Sequence, residues 1–470
     1  MNNIFKNGIK KVHLIGIGGS SMNGIAEIIM KYGIAVTGSD RSQSVNTHRL
    51  EQLGAQIHYG HAPENLSADC DLVVYTLAIS DDNPELLKAK ELGIPTIERG
   101  VFLGSIVSRH PYSLAVSGTH GKTTTTSMAA AILLASGKDP CVHLGGFFPL
   151  INGSVRASTS PYLVTEACEY HKNLLNLSPF AGIILNVEAE HLDFYKGGLP
   201  EIIETFSAFA GKIDPRGFLI VCQDNACAMQ AAEKANCKIL TYSIVSENAD
   251  FYTKEITVQS DGTSHFTIYT KDSPLAQIKL QVPGRHNISN ALAAAASCVQ
   301  LGCTGQDISQ GLLAFQGTKR RFEYKGRVNG APIIDDYAHH PTEIKAVMDT
   351  AKTMVGDRGR IWSIFQPHTY SRVKSFGDDF CRALRASHLV ILADIYAARE
   401  KDPGNITSAL LTEKFNRAGV NAVYIPSFQE IETYIQENAA EGDIVITLGA
   451  GDINKVAAKL SESSVSLKNS

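Results

Sequence analysis

Residues 113–128, SLAVSGTHGKTTTTSM, set an apolar β-type run against a Gly-rich turn and a helix-forming stretch. Glycines in such a turn let backbone N–H groups face phosphate oxygens, and the helix that follows adds the positive end of its dipole. Lys122 offers a point charge to the phosphates of a nucleotide, and the Thr123 hydroxyl is of the type that holds Mg²⁺. Gly118, Thr119, His120, Gly121, Lys122, Thr123 and Thr124 therefore read as a phosphate loop, with Lys122 expected to be an exposed side chain on it. The spacing departs from G-x-x-x-x-G-K-[ST], because Val116 stands where the first glycine would be and Gly118 falls two residues later.

A second Gly-rich turn, residues 16–22, follows the run VHLI, with Asp40 closing the next β run. A dinucleotide fingerprint needs a third glycine for close helix packing, and Ser21 occupies that position. A nucleotide diphosphate on the helix N-terminus and a tight turn without a ligand both remain open. Carboxylates cluster in TEACEYH (Glu166, Glu169) and NVEAEHLDFY (Glu188, Glu190, His191, Asp193). Beside a phosphate loop they are candidates for the shell of Mg²⁺, which takes few protein ligands plus phosphates and water. GRHNISN and TKRRFEYKG (Arg321, Glu323) add polar groups where the second and third units are expected to meet. DDYAHHP and FQPHTYSR each follow a β run, and put three histidines, two tyrosines and an arginine at strand ends.

These segments need a scaffold of parallel sheets. Residues 11–110 alternate short apolar runs (VHLIGI, IAVTGSD, CDLVVYTLA, IPTIE) with helical stretches such as NPELLKAKELG. A second α/β series carries YSLAVSG, PYLVTE, AGIILNV and GFLIVC, then changes near residue 250 to alternating β runs around Ser260-Asp261-Gly262, a hairpin signal. After Gly317 a third series follows: APIIDDYA, RIWSIFQPH, HLVILADIY, AVYIP and DIVITLGAG. At 470 residues three domains are expected. The 43 Lys and Arg against 47 Asp and Glu give a net charge of −4, with no basic field for nucleic acid or an anionic membrane. Nine cysteines without a C-x-x-C fit neither a disulfide framework nor a zinc site, and no apolar run reaches membrane-spanning length. The start, MNNIFKNGIKK, lacks a signal peptide's apolar stretch. A soluble cytoplasmic protein is the expectation, its last ten residues frayed.

Taken in order, GIGG near the start, GTHGKTTTTSM, E-x-H-L-D-x-Y, PGRHN-x-x-NALAA, KRRFE, DDYAHHPTEI, FQPH-x-Y-x-R and LGAGDI resemble the Mur ligases, the ATP-dependent amide-forming family that builds the peptide stem of bacterial peptidoglycan. The resemblance runs from about residue 10 to 460. It implies three α/β domains: an N-terminal Rossmann-like domain for UDP-N-acetylmuramate (1–110), a central P-loop ATPase-like domain for ATP and Mg²⁺ with a β-hairpin insertion (111–316), and a C-terminal Rossmann-like domain for the amino acid (317–470). Within the family the motifs are most similar to those of the member that joins L-alanine to the lactyl carboxylate of UDP-N-acetylmuramate through an acyl phosphate. The alternative is the recycling member that adds a tripeptide to the same UDP-sugar; a P-loop NTPase or kinase would explain the central unit alone.

By the same resemblance Gly118, Thr119, His120, Gly121, Lys122, Thr123 and Thr124 bind ATP with His286, Asn290, Asp335 and Asp336. Thr123, Glu166 and His191 hold the metal, and Lys122, Glu166, His191 and Arg321 are the catalytic set. Gly16, Gly18, Gly19, Ser20 and Met22 cradle the UDP-sugar, while Tyr337, His339, His368 and Arg372 surround L-alanine. The chain departs from the family pattern at Cys168, Tyr170 and His171, at Glu190, and at Thr369, where many members carry arginine. The helical stretch PEIIETFSAFAG has no lysine for the carbamate that bridges metals in several relatives, and none is expected.

Overall fold

A computed structural model of the chain describes all residues except 1–4, 6–7, 193, 260–261, 357–358, 399 and 467–470. Asp193, the hairpin pair Ser260-Asp261 and part of each terminus thus lie outside the described residues. Three sheets carry the fold. The first has five strands, β1 (Lys11–Ile15), β2 (Ala35–Asp40), β3 (Gln56–Tyr59), β4 (Leu72–Tyr75) and β5 (Thr96–Glu98), in the order β3-β2-β1-β4-β5 and all parallel. Chain order reverses between β1 and β4, so a crevice opens beyond their carboxyl ends, where the turn at residue 16 begins.

The second sheet contains β6 (Tyr112–Ser117), β7 (Cys141–Phe148), β8 (Gly153–Arg156), β9 (Tyr162–Glu166), β10 (Ala181–Ile184), β11 (Phe218–Cys222), β12 (Lys238–Ser243), β13 (Phe251–Val258), β14 (Ser264–Thr270) and β15 (Pro274–Leu280). Their order is β15-β14-β13-β12-β11-β10-β6-β9-β7-β8, so β6, which delivers the phosphate loop, lies between β10 and β9 and is parallel to both. The change of texture near residue 250 proves to be three strands, β13 to β15.

The third sheet has β16 (Glu323–Val328), β17 (Ala331–Asp336), β18 (Ile361–Phe365), β19 (Leu389–Leu392), β20 (Ala422–Tyr424) and β21 (Ile444–Leu448), ordered β16-β17-β21-β18-β19-β20, with only the β16–β17 pair antiparallel. Period-two alternation covers both of its faces. Ile361, Phe365, Ile444, Ile446 and Leu448 enter one core, whereas Trp362, Ile364 and Val445 enter the other.

These three sheets are grouped in two compact units: Met1–Ile256 with Phe266–Lys279 and Ser289–Phe315, and Thr257–His265 with Leu280–Ile288 and Gln316–Ser470. The first unit holds two of the three sheets, and their apolar interior is continuous. Leu14, Ile25 and Ile28 share one cluster with Ala115, Cys141, Leu163 and Phe209. The helix Ser20–Lys31 is buried along most of its length and packs on both β2 and the β7–β8 pair. Among the described residues no helix is long and apolar enough to cross a membrane.

Candidate active site

The turn after β6 is built where only glycine fits. Gly118 has φ 145°, and a Cβ on it would stand 2.8 Å from the Leu185 Cβ; Gly121 has φ 86°, and its Cβ would meet the Asn290 Oδ1 at 2.6 Å. The segment leaving β10 then ties the turn down. Asn186 accepts from the His120 N–H through Oδ1 (2.8 Å) and from the Thr119 N–H through its carbonyl (3.0 Å), while its Nδ2 donates to the His120 carbonyl (3.1 Å). The Glu188 N–H donates to the Thr119 hydroxyl (2.9 Å), and the Glu188 carboxylate stands 3.6 Å from the His120 Nε2. Gly121 brings no capping side chain over the N-terminus of the helix Lys122–Ala135, whose dipole end faces the loop.

Lys122 is not an exposed loop side chain. It opens that helix, only 14% of its side chain is accessible, and its ammonium lies 2.9 Å from Glu169. It also donates to the carbonyls of Gly118 (2.6 Å) and Thr119 (3.0 Å). All three N–H groups are therefore engaged, and a phosphate must exchange for one of these acceptors. The cause is Glu169, which turns back from the end of β9 into the same space, 4% accessible, with His191 Nε2 3.6 Å away. Burial alone would raise the Glu169 carboxyl, but the Lys122 charge and the His191 and Lys122 hydrogen bonds outweigh it and hold it below the usual range. Burial likewise works against the charged lysine, and Glu169 reverses that, raising the ammonium above its ordinary value.

Glu166 and Thr123 each neighbour one of the two glycines of β7. The Gly145 N–H donates to Glu166 (2.6 Å), a Cβ at Gly145 would lie 3.3 Å from both Glu166 oxygens, and one at Gly146 would lie 3.2 Å from the Thr123 Cγ2. The donor types of Thr123, Glu166 and His191, a hydroxyl, a carboxylate and an imidazole, suit a hard divalent cation. His191 holds φ 55° and lies against the Tyr170 ring, centroids 4.6 Å apart.

In the first sheet's turn, Gly16 has φ 80°, and the Gly16 and Ile17 N–H groups donate to the Ser39 carbonyl (2.8 and 3.0 Å). The Gly18 N–H donates to Asp40 (2.8 Å), Gly19 precedes the helix without a capping side chain, Ser20 opens it and Met22 is buried beneath it. Ser21, which breaks the dinucleotide pattern, receives a bond from Arg99 (3.1 Å) and sits 3.3 Å from His143 of β7. Burial pushes the His143 imidazole down to about 4, so it is neutral there.

In the second unit, Tyr337, His339, His368 and Arg372 form one chain of contacts: rings 5.4 Å apart from Tyr337 to His339, 5.5 Å from His339 to His368, and Arg372 Nη1 3.0 Å from the His368 Nδ1. Tyr396 stacks on His368 at 5.7 Å. Both Arg320 and Arg321 lie over the Tyr337 ring, at 5.0 and 5.3 Å, and Arg321 is 3.9 Å from Glu343. Asp335 and Asp336 are buried and bonded internally. Asp335 accepts from Thr447 (2.7 Å), and Asp336 accepts from the N–H groups of Phe322 and Ala338, both at 2.7 Å. Burial pushes the Asp336 carboxyl up to about 6. Arg320, in the same KRRFE run, binds the carbonyls of Gly449 (2.6 Å) and Gly451 (2.9 Å) and so fixes the turn after β21. His286 is exposed in the first turn of the helix Arg285–Gln300, and Asn290 is buried one turn on. The motif reading did not single out Asn186, Arg99, His143, Gly145, Gly146, Arg320 or Tyr396; of these only Asn186 carried a signal, as the polar residue directly after the run AGIIL.

Three family descriptions match the chain in order: Mur ligase family, catalytic domain, at residues 11–111; Mur ligase middle domain at 116–298; and Mur ligase, glutamate ligase domain, at 320–451. The chain is 46% identical over 450 residues to a UDP-N-acetylmuramate–L-alanine ligase of Acetivibrio thermocellus, covering 96% of this chain and 95% of that one. It is 47% identical over 454 residues to the protein of the same name in Clostridium novyi, covering 97% and 98%. Among solved structures it is similar to a UDP-N-acetylmuramate-alanine ligase from Thermotoga maritima (TM-score 0.79, 27% identity, 97% and 99% covered). It is also similar to a murein peptide ligase from Psychrobacter arcticus (TM-score 0.68, 25% identity, 96% and 98% covered).

Proposed function

As the chain belongs to the Mur ligase family, we propose that it joins L-alanine to the lactyl carboxylate of UDP-N-acetylmuramate, with ATP hydrolysed to ADP and phosphate. The observation that carries this reading is 46–47% identity, over nearly the whole chain, to relatives bearing that name. The higher TM-score to the alanine ligase than to the murein peptide ligase, 0.79 against 0.68, favours the single amino acid over a tripeptide.

A carboxylate is a poor electrophile, so the lactyl group first takes the γ-phosphoryl group of ATP; the amine of alanine then attacks the acyl phosphate and phosphate leaves. Such a transfer needs positioning and charge neutralisation more than covalent help from the protein. The turn at residues 118–124 holds the ATP phosphates, with Lys122 leaving one of its acceptors to meet them. Glu169 keeps that ammonium charged and in place. Thr123, Glu166 and His191 would hold Mg²⁺, which supplies neutralisation of phosphate charge when bound. Asn290 and His286 serve the adenine in this reading, whereas Asp335 and Asp336, both buried and bonded internally, fix the end of β17 and do not present a free oxygen to the nucleotide. Arg321 adds charge near the phosphates.

The turn at residues 16–22 takes the UDP pyrophosphate on its helix N-terminus. Arg372, oriented by His368, grips the alanine carboxylate, and Tyr337, His339 and His368 wall its methyl group. The reaction belongs in the cytoplasm, where ATP and the nucleotide sugar are found. Phosphate release measured with ATP, UDP-N-acetylmuramate and each amino acid in turn tests the reading. L-alanine should give the highest kcat/KM, with glycine and serine admitted weakly, because a methyl-sized pocket discriminates by only about 1–3 kcal/mol. Turnover with a tripeptide and none with alanine would overturn it.

A further inference from the structure

The first sheet contains a buried polar network that the reaction as described does not use. Glu85, in the helix Pro84–Leu92, is fully buried, as are His13 of β1 and Ser39 of β2. The Ser39 hydroxyl donates to the Glu85 Oε2 (2.5 Å), His13 Nε2 lies 3.3 Å from that oxygen and His61 Nδ1 3.7 Å from it. The other oxygen, Oε1, accepts from the Asn65 side chain (2.6 Å) and the Ala62 N–H (3.4 Å). His61 Nδ1 is 3.0 Å from the Ser39 Oγ, and His13 Nδ1 is 2.8 Å from the Thr37 Oγ1. Burial would raise the Glu85 carboxyl, yet the His13, Ser39 and Asn65 hydrogen bonds hold it down at about 2. A carboxylate in such a place costs more than an apolar side chain of the same size, so stability alone does not account for it.

What distinguishes the network is the residue at its centre. Ser39 faces Glu85 with its hydroxyl, and with its carbonyl it accepts the N–H groups of Gly16 and Ile17. Asp40, next along, accepts the Gly18 N–H at 2.8 Å and its carbonyl accepts the Gly60 N–H at 2.8 Å. The end of β2 is therefore the platform on which residues 16–18 are laid, and Glu85 fixes the side-chain side of that platform. A second line of attachment runs through His13, which precedes the turn by three residues on β1 and reaches the same Oε2.

We propose that Glu85 is a positioning residue for UDP-sugar binding, acting through Ser39 to set the backbone of the turn at residues 16–18. The proposal rests on the reading that this turn takes the UDP pyrophosphate. Glu85 touches no substrate; it holds the Ser39 peptide so that the N–H groups of the turn are spent where they are and the helix N-terminus stays open. A preorganised anion site loses affinity when its backbone can relax, so the deficit falls on ground-state binding of one substrate.

The test uses the full-length enzyme with Glu85→Gln, Ser39→Ala, the double variant, and Gly18→Ala as a control on the turn itself. A Cβ at Gly18 would meet the Asp40 Oδ2 and Thr47 Cγ2 at 2.9 Å. Each of Glu85→Gln and Ser39→Ala should raise the KM for UDP-N-acetylmuramate about fivefold or more, with kcat and the KM values for ATP and L-alanine changed less than about twofold. Calorimetric binding of UDP-N-acetylmuramate without ATP should weaken by the same factor, and the double variant should be no worse than the poorer single, since both act on one link. If Gly18→Ala raises that KM while Ser39→Ala does not, the positioning role is wrong and the turn assignment stands. If Gly18→Ala leaves it unchanged, the turn assignment itself fails. Should Glu85→Gln not fold, Ser39→Ala, which removes one hydroxyl, decides alone.

Discussion

Replacing Lys122 by methionine separates two jobs that one ammonium performs. In the free enzyme it neutralises Glu169, whose side chain is 4% accessible, from 2.9 Å, and is itself 14% accessible. Removing one partner of a buried pair costs about 3–5 kcal/mol, because the other charge is left uncompensated. His191, 3.6 Å from the same carboxylate, offsets part of this, so the lower end, ~3 kcal/mol, is expected. That corresponds to a fall in melting temperature on the order of 5–10 °C for a unit of this size. During turnover the same ammonium meets the ATP phosphates, and losing one preorganised donor costs ~10²–10³ in kcat. The double variant Lys122→Met/Glu169→Gln no longer buries a lone carboxylate, so melting should recover most of the loss while activity stays as low as in the single variant. Differential scanning calorimetry and steady-state phosphate release read the two effects separately. Turnover of Lys122→Met within about tenfold of wild type, or recovery of activity with stability in the double variant, would refute the assignment of Lys122 to the phosphates.

Arg372→Lys should raise the KM for L-alanine far more than those for ATP or the UDP-sugar, because a lysine replaces a planar two-pronged donor with a point charge and loses the contact that His368 makes with Nη1 at 3.0 Å; equal shifts in all three constants would place Arg372 elsewhere. Asp443, directly before β21, takes a two-pronged bond from Arg360 (3.1 and 2.6 Å) and one from the Trp362 indole (3.0 Å), and these overcome burial to hold its carboxyl down at about 2. Its folded value is below its unfolded one, so its contribution is complete above about pH 4 and is lost as pH falls toward 2. Asp443→Asn should cost ~2 kcal/mol at neutral pH and flatten the melting temperature over that acid window; parallel pH profiles for variant and wild type would contradict this.

The parallel scaffold was legible because buried strands such as VHLI, LAVS, AGII and IVITL are continuous apolar runs between Gly-rich turns and helices. β3, with the sequence QIHY and mostly exposed, carries no such signal, and β16 is a polar edge strand. β7 was hidden for a different reason. Its run CVHLGGFF is interrupted by Gly145 and Gly146, yet those glycines are where Glu166 and Thr123 approach. Local motifs located the phosphate loop and the Tyr337–His339–His368–Arg372 chain, since each lies at a strand end. They did not give partners. That Glu169 would pair with Lys122, or that Arg320 would anchor the turn after β21, depends on long-range contacts that no spacing encodes. The two-unit grouping depends likewise on the helix Ser20–Lys31, buried along most of its length, packing on β7 and β8 as well as β2, so that two sheets share one core.

Oxygen tracing on the lactyl carboxylate tests the chemistry most directly. With UDP-N-acetylmuramate labelled with ¹⁸O in that carboxylate, ATP and L-alanine, mass spectrometry of the released phosphate should find a single ¹⁸O in each phosphate formed, alongside UDP-N-acetylmuramoyl-L-alanine. Phosphate free of label, or label transfer that requires a tripeptide in place of alanine, would contradict the proposed reaction.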